Sequence, residues 1–175
     1  MPAVTAVPIV TARLTLVPLR PGHAGEMAAV LAGPELYAFT GGAPPSPAEL
    51  RARYERWAAG SGDPGVSWCN WAIRLREAGC LAGWVQATVS TAGEPSAEIA
   101  WVVGVPWQGQ GIATEAARVL VAWLRQRQVP TVTARIHPDH AASAAVAAAA
   151  GLVPAGQLAE GEVTWRSRAS PAAGR

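Results

Sequence analysis

One run of residues constrains the fold most: an apolar strand that passes through a glycine-rich turn directly into a helix. It reads Val102-Val103-Gly104-Val105-Pro106-Trp107-Gln108-Gly109-Gln110-Gly111-Ile112-Ala113-Thr114-Glu115-Ala116. The first amides of a helix have no acceptor within the helix, and the helix dipole makes that end partly positive. Gly109 and Gly111 carry no β-carbon, so their backbone can come close to a phosphate. The run therefore predicts an anion site, and a pyrophosphate is the expected ligand.

The residue types in this chain exclude several classes of phosphate-binding protein that commonly contain such a turn. The chain contains no lysine, since all 14 of its Lys and Arg residues are arginine. This excludes a Walker A loop, a lysine Schiff base with pyridoxal phosphate and the lysine of a protein kinase. A dinucleotide fingerprint would need a third glycine where Thr114 stands. It would also need an acidic residue about 20 positions further on, where the chain reads Pro130-Thr131-Val132.

What remains is Gln108-x-x-Gly111-x-Ala113, which matches the Q/R-x-x-G-x-G/A signature of the GCN5-related N-acetyltransferases (GNAT). The flanking residues resemble the branch of that superfamily that acetylates ribosomal-protein N-termini and related amines (RimJ/RimL-like). The matching flanks are residues 11–20, 98–123, 137–143 and 151–153, so the resemblance covers roughly residues 11–156. The alternative interpretation of the turn alone is an ordinary connection between a strand and a helix.

Length and composition favour one globular domain. A chain of 175 residues can bury a sizeable core, and we expect a single acetyltransferase domain over residues 1–168 with a disordered tail over 169–175. The net charge of +2 is too small to indicate a nucleic-acid or membrane partner. The chain shows no signal-like segment and no membrane-spanning apolar run, so we expect a cytoplasmic protein, with Cys69 and Cys80 as reduced thiols. The arginine- and alanine-rich composition suggests a GC-rich, bacterial source. The oligomeric state stays open, and a homodimer is compatible with the sequence.

Periodicity and turn signals predict alternating strands and helices. Strands are expected over 14–19, 67–76, 80–90, 97–105 and 131–136, with two short ones near Leu152 and Val163. Helices are expected over 21–31, 47–59, 111–126 and 141–150, the second beginning with a capping box of Ser46 and Glu49. Together with the resemblance, this predicts an α/β fold (α+β by some schemes). We expect a mixed, mostly antiparallel central sheet of six or seven strands with about four helices over both faces.

The resemblance implies acetyl-CoA as a co-substrate. Its pantetheine would pair with the backbone of the fourth strand at Trp101, Val102 and Val103, and one of these amides would donate to the thioester oxygen. The pyrophosphate would lie on the turn, whose expected cofactor-binding residues are Gln108, Gly109, Gln110, Gly111, Ile112, Ala113 and Thr114. Gln108 is neutral where many relatives carry arginine, which leaves less positive charge at the phosphates.

The acceptor amine must lose a proton before it can attack, and Glu98 is the candidate general base. It stands just before the cofactor-binding stretch, as a glutamate does in the resembling branch. Strand alternation puts Glu98, Ala100 and Val102 on one face. The alternatives are that Glu98 is a solvent-facing strand residue, or that a chain of waters serves as the base.

The leaving thiolate needs a proton or a stabilising dipole. The family pattern Asn-x-x-Ser is here His140-Ala141-Ala142-Ser143. The resemblance makes Ser143 a candidate partner of the cofactor sulfur or of pantetheine, and it makes His140 a candidate pantetheine contact in place of asparagine. Asp139 or His140 could equally cap the helix. No spaced His/Cys cluster indicates a metal site.

Eight tryptophans are many for a chain of this size. Most are expected in the core, but Trp57, Trp71 and Trp84 are candidates to line an acceptor pocket through apolar or cation–π contacts. The favoured function is an amine acetyltransferase that works by direct attack in a ternary complex. Its acceptor would be a protein N-terminus or a small amine such as an antibiotic. A non-catalytic acyl-CoA-binding module, acting as a sensor or partner subunit, is the alternative.

Overall fold

A computed structural model describes residues 3–168, and within this range eight strands form one sheet. The strands are β1 Ile9–Val10, β2 Leu14–Pro18, β3 Val66–Leu75, β4 Leu81–Ser90, β5 Ser96–Val103, β6 Thr131–Ile136, β7 Leu152–Ala159 and β8 Glu162–Ser167. Their order is β1-β2-β3-β4-β5-β6-β8-β7. Only the β5–β6 pair is parallel among the described strands. The predicted mixed, mostly antiparallel sheet is confirmed, with eight strands instead of six or seven. The additional strand, β1, has two residues and is too short to show an alternating pattern in the sequence.

Four α-helices complete the fold: α1 Ala24–Val30, α2 Pro47–Ala59, α3 Ile112–Gln126 and α4 Ala141–Ala149. Helix α2 begins with the predicted capping box, in which Glu49 N donates to Ser46 Oγ over 3.2 Å and Ser46 N donates to Glu49 Oε2 over 2.7 Å. The predicted helix over 21–31 is divided into a 3₁₀ turn, Pro21–His23, followed by α1. The predicted strand over 97–105 ends at Val103, because Val105–Trp107 winds into another 3₁₀ turn around its proline.

The core consists of two clusters, one on each face of the sheet. The larger lies under α3 and α4, and its fully buried side chains include Leu14, Trp71, Ile73, Leu120 and Leu124. The smaller lies under α1 and α2 around Met27, Leu50, Tyr54 and Leu81. Each fully buried leucine or isoleucine contributes about 1.5–3 kcal/mol relative to an exposed one. With both faces covered, a ligand can reach the sheet only at strand ends or between strands.

Strands β4 and β5 approach closely just before the glycine-rich turn. A β-carbon at Gly83 would collide with the carbonyl oxygen of Val102 and would lie 2.9 Å from Val103 Cα. Glycine is therefore required at this position of β4, and it fixes the end of β5 against its neighbour.

Across residues 3–168, no helix combines the length and the apolar character needed to cross a membrane. The predicted tail over 169–175 lies outside the described residues.

Candidate acetyl-transfer site

The candidate site is a cleft formed where two parallel strands separate. β5 and β6 pair only at Ser96–Thr131, Ala97–Val132 and Glu98–Thr133, although β5 continues to Val103 and β6 to Ile136. The separation opens a cleft of about 420 Å³, lined by residues of both strands, of α2 and of α4. A strand whose neighbour turns away leaves backbone donors and acceptors without a partner inside the sheet.

The free backbone groups of β5 belong to its odd-numbered residues. Gly104 N donates to Ala82 O, and the register pairs Trp84 with Val102, so the even-numbered residues of β5 direct their backbone groups toward β4. Ile99, Trp101 and Val103 therefore direct theirs toward β6 and the cleft. The Ile99 amide faces Thr133, the last residue of β6 that pairs with β5, and the Val103 carbonyl accepts from Gln108 Nε2, so the Ile99 carbonyl, both groups of Trp101 and the Val103 amide are the ones the cleft can use. The prediction that the Val102 amide binds pantetheine is wrong for this reason, and Val102 lines the cleft without offering its amide to it.

The glycine-rich turn has the geometry of an anion site. Gly109 and Gly111 have φ of +73° and +76°, a left-handed conformation that favours glycine. The first intrahelical bond of α3 runs from Glu115 N to Gly111 O, so the amides of Ile112, Ala113 and Thr114 have no acceptor within the helix. No side chain of the described residues caps this end. Three free amides behind an open turn fit a pyrophosphate group.

The two glutamines of the turn stabilise it from within. Gln108 Nε2 donates to Val103 O over 3.0 Å, and Gln110 Nε2 donates to Pro106 O over 3.2 Å. These bonds hold the turn against the end of β5. The side-chain amides of both glutamines therefore have backbone partners within the turn.

Arg13 lies beside the turn, and sequence reasoning gave it no role at the site. Its Nε donates to Glu115 Oε2 over 2.6 Å, and its Nη1 donates to Gln110 O over 2.8 Å. Burial alone would raise the pKa of Glu115, but hydrogen bonds from Thr11 and Arg13 outweigh burial and hold the pKa below its ordinary value. A β-carbon at Gly111 would lie 3.4 Å from Arg13 Nη2. A half-exposed guanidinium thus lies next to the turn, with its charge paired to the Glu115 carboxylate.

Glu98 lies on the wall of the cleft and forms an ion pair. Its Oε1 accepts from Arg135 Nη2 over 3.2 Å and from Arg135 Nε over 3.3 Å. The carboxylate in turn raises the pKa of Arg135. The Glu98 side chain is 48% exposed, so the cost of burying a charge gives no reason to assign it a role. Its place in the cleft keeps the base assignment open as a prediction.

His140 and Ser143 lie at the start of α4, on the cleft wall. His140 is the N-cap residue, and its Nδ1 accepts from Ser143 N over 3.4 Å. The capping interpretation therefore holds for His140 and not for Asp139. His140 Nε2 lies 3.1 Å from Ser143 Oγ. Burial, and next the neighbouring His137, lower the pKa of His140.

The predicted tryptophans separate into different parts of the molecule. Trp84 lines the cleft together with Trp101. Trp71 is completely buried under α3 and donates from Nε1 to Val7 O, so its prediction as an acceptor contact is wrong. Trp57 lines a different cavity of about 590 Å³, between the N-terminal segment, α2 and β3, and its role as an acceptor contact stays a prediction. The spacing of tryptophans in the sequence does not show which face of the sheet each one occupies.

Several residues of the cleft had no signal in the sequence. Tyr37 and Phe39, from the segment after α1, and Arg53, from α2, line it alongside Arg135. These residues reach the cleft from separate elements, and only the folded chain brings them together. Among residues 3–168, no group of three or more potential metal ligands is present.

Comparison with known proteins shows which family and fold the chain shares. The Acetyltransferase (GNAT) domain family matches residues 13–153 of the chain. No curated protein sequence matches it. The ribosomal-protein-S5-alanine acetyltransferase from Vibrio fischeri is 15% identical with a TM-score of 0.75, over 92% of this chain and 96% of that chain.

Two further solved structures are similar. AAC(6')-Ib in complex with paromomycin and acetyl-CoA is 19% identical with a TM-score of 0.71, over 88% of this chain and 92% of that chain. A chimera of the spermidine N-acetyltransferase SpeG from Vibrio cholerae and hSSAT is 16% identical with a TM-score of 0.69, over 89% of this chain and 93% of that chain. At such identities these structures share the fold, and the family match covers most of the chain. The chain belongs to the GNAT acetyltransferase domain family.

Proposed function

We propose that this protein is an acetyl-CoA-dependent N-acetyltransferase that transfers the acetyl group to a primary amine by direct attack in a ternary complex. The observation that carries the proposal is the cleft between β5 and β6. It combines Glu98 and free backbone groups of β5, the strand that leads into the glycine-rich turn, with Ser143 of α4. Transfer from a thioester to an amine needs an extended anchor, a base and a group that stabilises the leaving sulfur.

The residues present fit acetyl-CoA, which would supply an activated acetyl thioester. The amides of Ile112, Ala113 and Thr114 would hold the pyrophosphate, with the Arg13 guanidinium beside them. The Ile99 carbonyl, the Trp101 backbone and the Val103 amide would pair with pantetheine as an added strand does. An amide of Trp101 or Val103 would donate to the thioester oxygen, where negative charge grows during attack.

Proton and electron movements follow from the cleft residues. Glu98 would take a proton from the acceptor ammonium, directly or through a water, while Arg135 holds its carboxylate in place. The freed nitrogen pair forms the C–N bond, the nitrogen then loses a second proton to water, and the C–S bond breaks with its electron pair going to sulfur. Ser143 would stabilise that thiolate.

The charges of the cleft favour a singly charged acceptor. Its lining contains two arginines, Arg53 and Arg135, and two glutamates, Glu98 and Glu162. Glu98 is already paired with Arg135, whereas no carboxylate within residues 3–168 lies within 4 Å of the Arg53 guanidinium. A polycation would need an excess of carboxylates. The aromatic rings of the lining suit an apolar group next to the amine, as in an N-terminal residue or a small monoamine.

A thiol-release assay with acetyl-CoA tests the proposal. The panel contains short peptides with one free N-terminal amine, monoamines, spermidine and an aminoglycoside, with product masses measured in parallel. We expect release with singly charged amines to exceed release with polycations. Because the chain has no lysine, acetylation of its own lysine side chains cannot contribute to the signal. If no amine releases thiol while acetyl-CoA still raises the melting temperature, the protein is a binding module and the proposal is wrong.

A further inference from the structure

Both ring nitrogens of His140 are directed at the same residue, Ser143. Nδ1 accepts a hydrogen bond from Ser143 N over 3.4 Å, and Nε2 lies 3.1 Å from Ser143 Oγ. The first contact is the helix cap described above. The second involves a hydroxyl that a cap does not need, so capping does not account for the whole arrangement.

The first contact determines the direction of the second. A backbone N–H can only donate, so Nδ1 must present its lone pair to Ser143 N. A neutral imidazole then carries its proton on Nε2, and this N–H donates to Ser143 Oγ. The Ser143 hydroxyl, with its oxygen occupied as an acceptor, keeps its own proton free for a different acceptor. Ser143 lines the cleft, so the cleft can provide that acceptor.

Phe39 holds the imidazole in this orientation. Its ring stacks on His140 with centroids 4.5 Å apart and planes 20° apart. Phe39 comes from the segment after α1 and lines the same cleft as His140. The stack restrains rotation of the imidazole and shields it from water. Burial and the neighbouring His137 lower the pKa of His140, which keeps the ring neutral in neutral solution.

We propose that His140, held by Phe39, is a positioning residue that turns Ser143 into a hydrogen-bond donor to the leaving thiolate. The proposal rests on the acetyl-transfer function proposed above. When the C–S bond breaks, its electron pair goes to sulfur, and Ser143 Oγ–H donates to that sulfur while Nε2–H donates to Oγ. Neither O–H nor N–H is cleaved. The two protons that the ammonium nitrogen loses have left through Glu98 and water, and the thiolate takes a proton from the solvent on release.

A double-mutant cycle tests the role in turnover. His140→Asn keeps a side chain that caps helices well but cannot reach Ser143 Oγ with a donor. We expect kcat to fall about 10-fold, the value of one hydrogen bond to a developing charge, with acetyl-CoA affinity within about 3-fold of the parent. In the Ser143→Ala background, His140→Asn should cause no further loss. Full additivity of the two kcat losses, or loss of affinity and turnover together, would overturn the proposal, because either result indicates a purely structural role.

A measurement that does not depend on activity tests the arrangement itself. The chain has three histidines, and His140→Asn identifies the His140 signals in a ¹⁵N spectrum of the imidazole nitrogens. We expect Nε2 of His140 to be protonated and Nδ1 to be unprotonated at neutral pH. In Phe39→Leu we expect a mixture of the two imidazole tautomers. A protonated Nδ1 in the parent would overturn the proposal. If no amine supports turnover while the expected tautomer is seen, the arrangement stands, but the proposed function fails and the catalytic role fails with it.

Discussion

A substitution at Gly111 tests the phosphate turn most directly, because two variants of equal size separate charge from strain. Gly111 has φ of +76°, so a side chain there costs about 1–2 kcal/mol. For a chain of this size, that loss lowers the melting temperature by about 2–8 °C. Gly111→Gln and Gly111→Glu incur the same strain. Gly151→Gln is the matched control, since Gly151 has φ of +88° at the end of α4, with nothing within 4 Å of its β-carbon position.

The affinity difference between the two variants comes from one negative charge beside a phosphate. At a separation of about 4 Å, two unit charges repel by about 1 kcal/mol in water and by about 4 kcal/mol near a protein surface. We therefore expect Gly111→Glu to bind acetyl-CoA between about 5-fold and about 10³-fold more weakly than Gly111→Gln. Added salt should reduce this difference in affinity, because ions screen the repulsion between a carboxylate and a phosphate at an exposed turn.

Isothermal titration calorimetry at two salt concentrations, with thermal unfolding of the same samples, measures both effects. Gly151→Gln should lose stability but keep the parent's affinity. Equal affinities for Gly111→Glu and Gly111→Gln would refute the assignment of the turn to a phosphate group. If Gly151→Gln also lowers the affinity for acetyl-CoA, the weaker binding of the Gly111 variants results from lower stability and not from the turn itself.

Two further predictions concern proton binding. Glu98→Gln should lower the acetylation rate at neutral pH by about 10²-fold or more, with recovery as the pH approaches the pKa of the acceptor amine, and a rate profile identical to the parent's would remove Glu98 from the mechanism. The free energy of unfolding should fall as the pH drops below 6.5. In the folded chain the pKa values of His23 and of His140 are lowered, mainly by burial, so in this pH range the unfolded chain binds more protons than the folded chain does. Urea titrations from about pH 8 to about pH 5 check this, and His23→Gln should flatten the dependence.

Local patterns in the sequence predicted most of the fold. The capping box at Ser46 predicted the start of α2, and the predicted strand over 131–136 coincides with β6. Both signals lie within a few residues of the element they define. The glycine-rich turn between a strand and a helix was predictable for the same reason, whereas the left-handed conformation of Gly109 and Gly111 was not part of the prediction.

Contacts between distant residues were beyond the reach of such patterns. Arg13 and Glu115 are 102 positions apart, and nothing near either residue indicates that they pair. The burial of Trp71 depends on which face of β3 lies under α3, and the free amides of β5 depend on where β6 turns away. A histidine in place of asparagine was visible at position 140. Its geometry toward Ser143 and Phe39 was not, because it needs the cap and the segment after α1 together.

The short seam between β5 and β6 also has a mechanical consequence. The sheet has two parts, β1–β5 and β6–β8. Among the described residues, three backbone residue pairs, all between β5 and β6, join these two parts. A ligand that forms hydrogen bonds with both β5 and β6 across the gap would connect the two parts of the sheet. Its binding energy would then resist their separation, and at a ligand concentration of 100 times Kd this linkage adds about 2.7 kcal/mol to the stability of the whole domain. The gap that admits the ligand is thus also the place where a bound ligand would connect the two parts of the sheet.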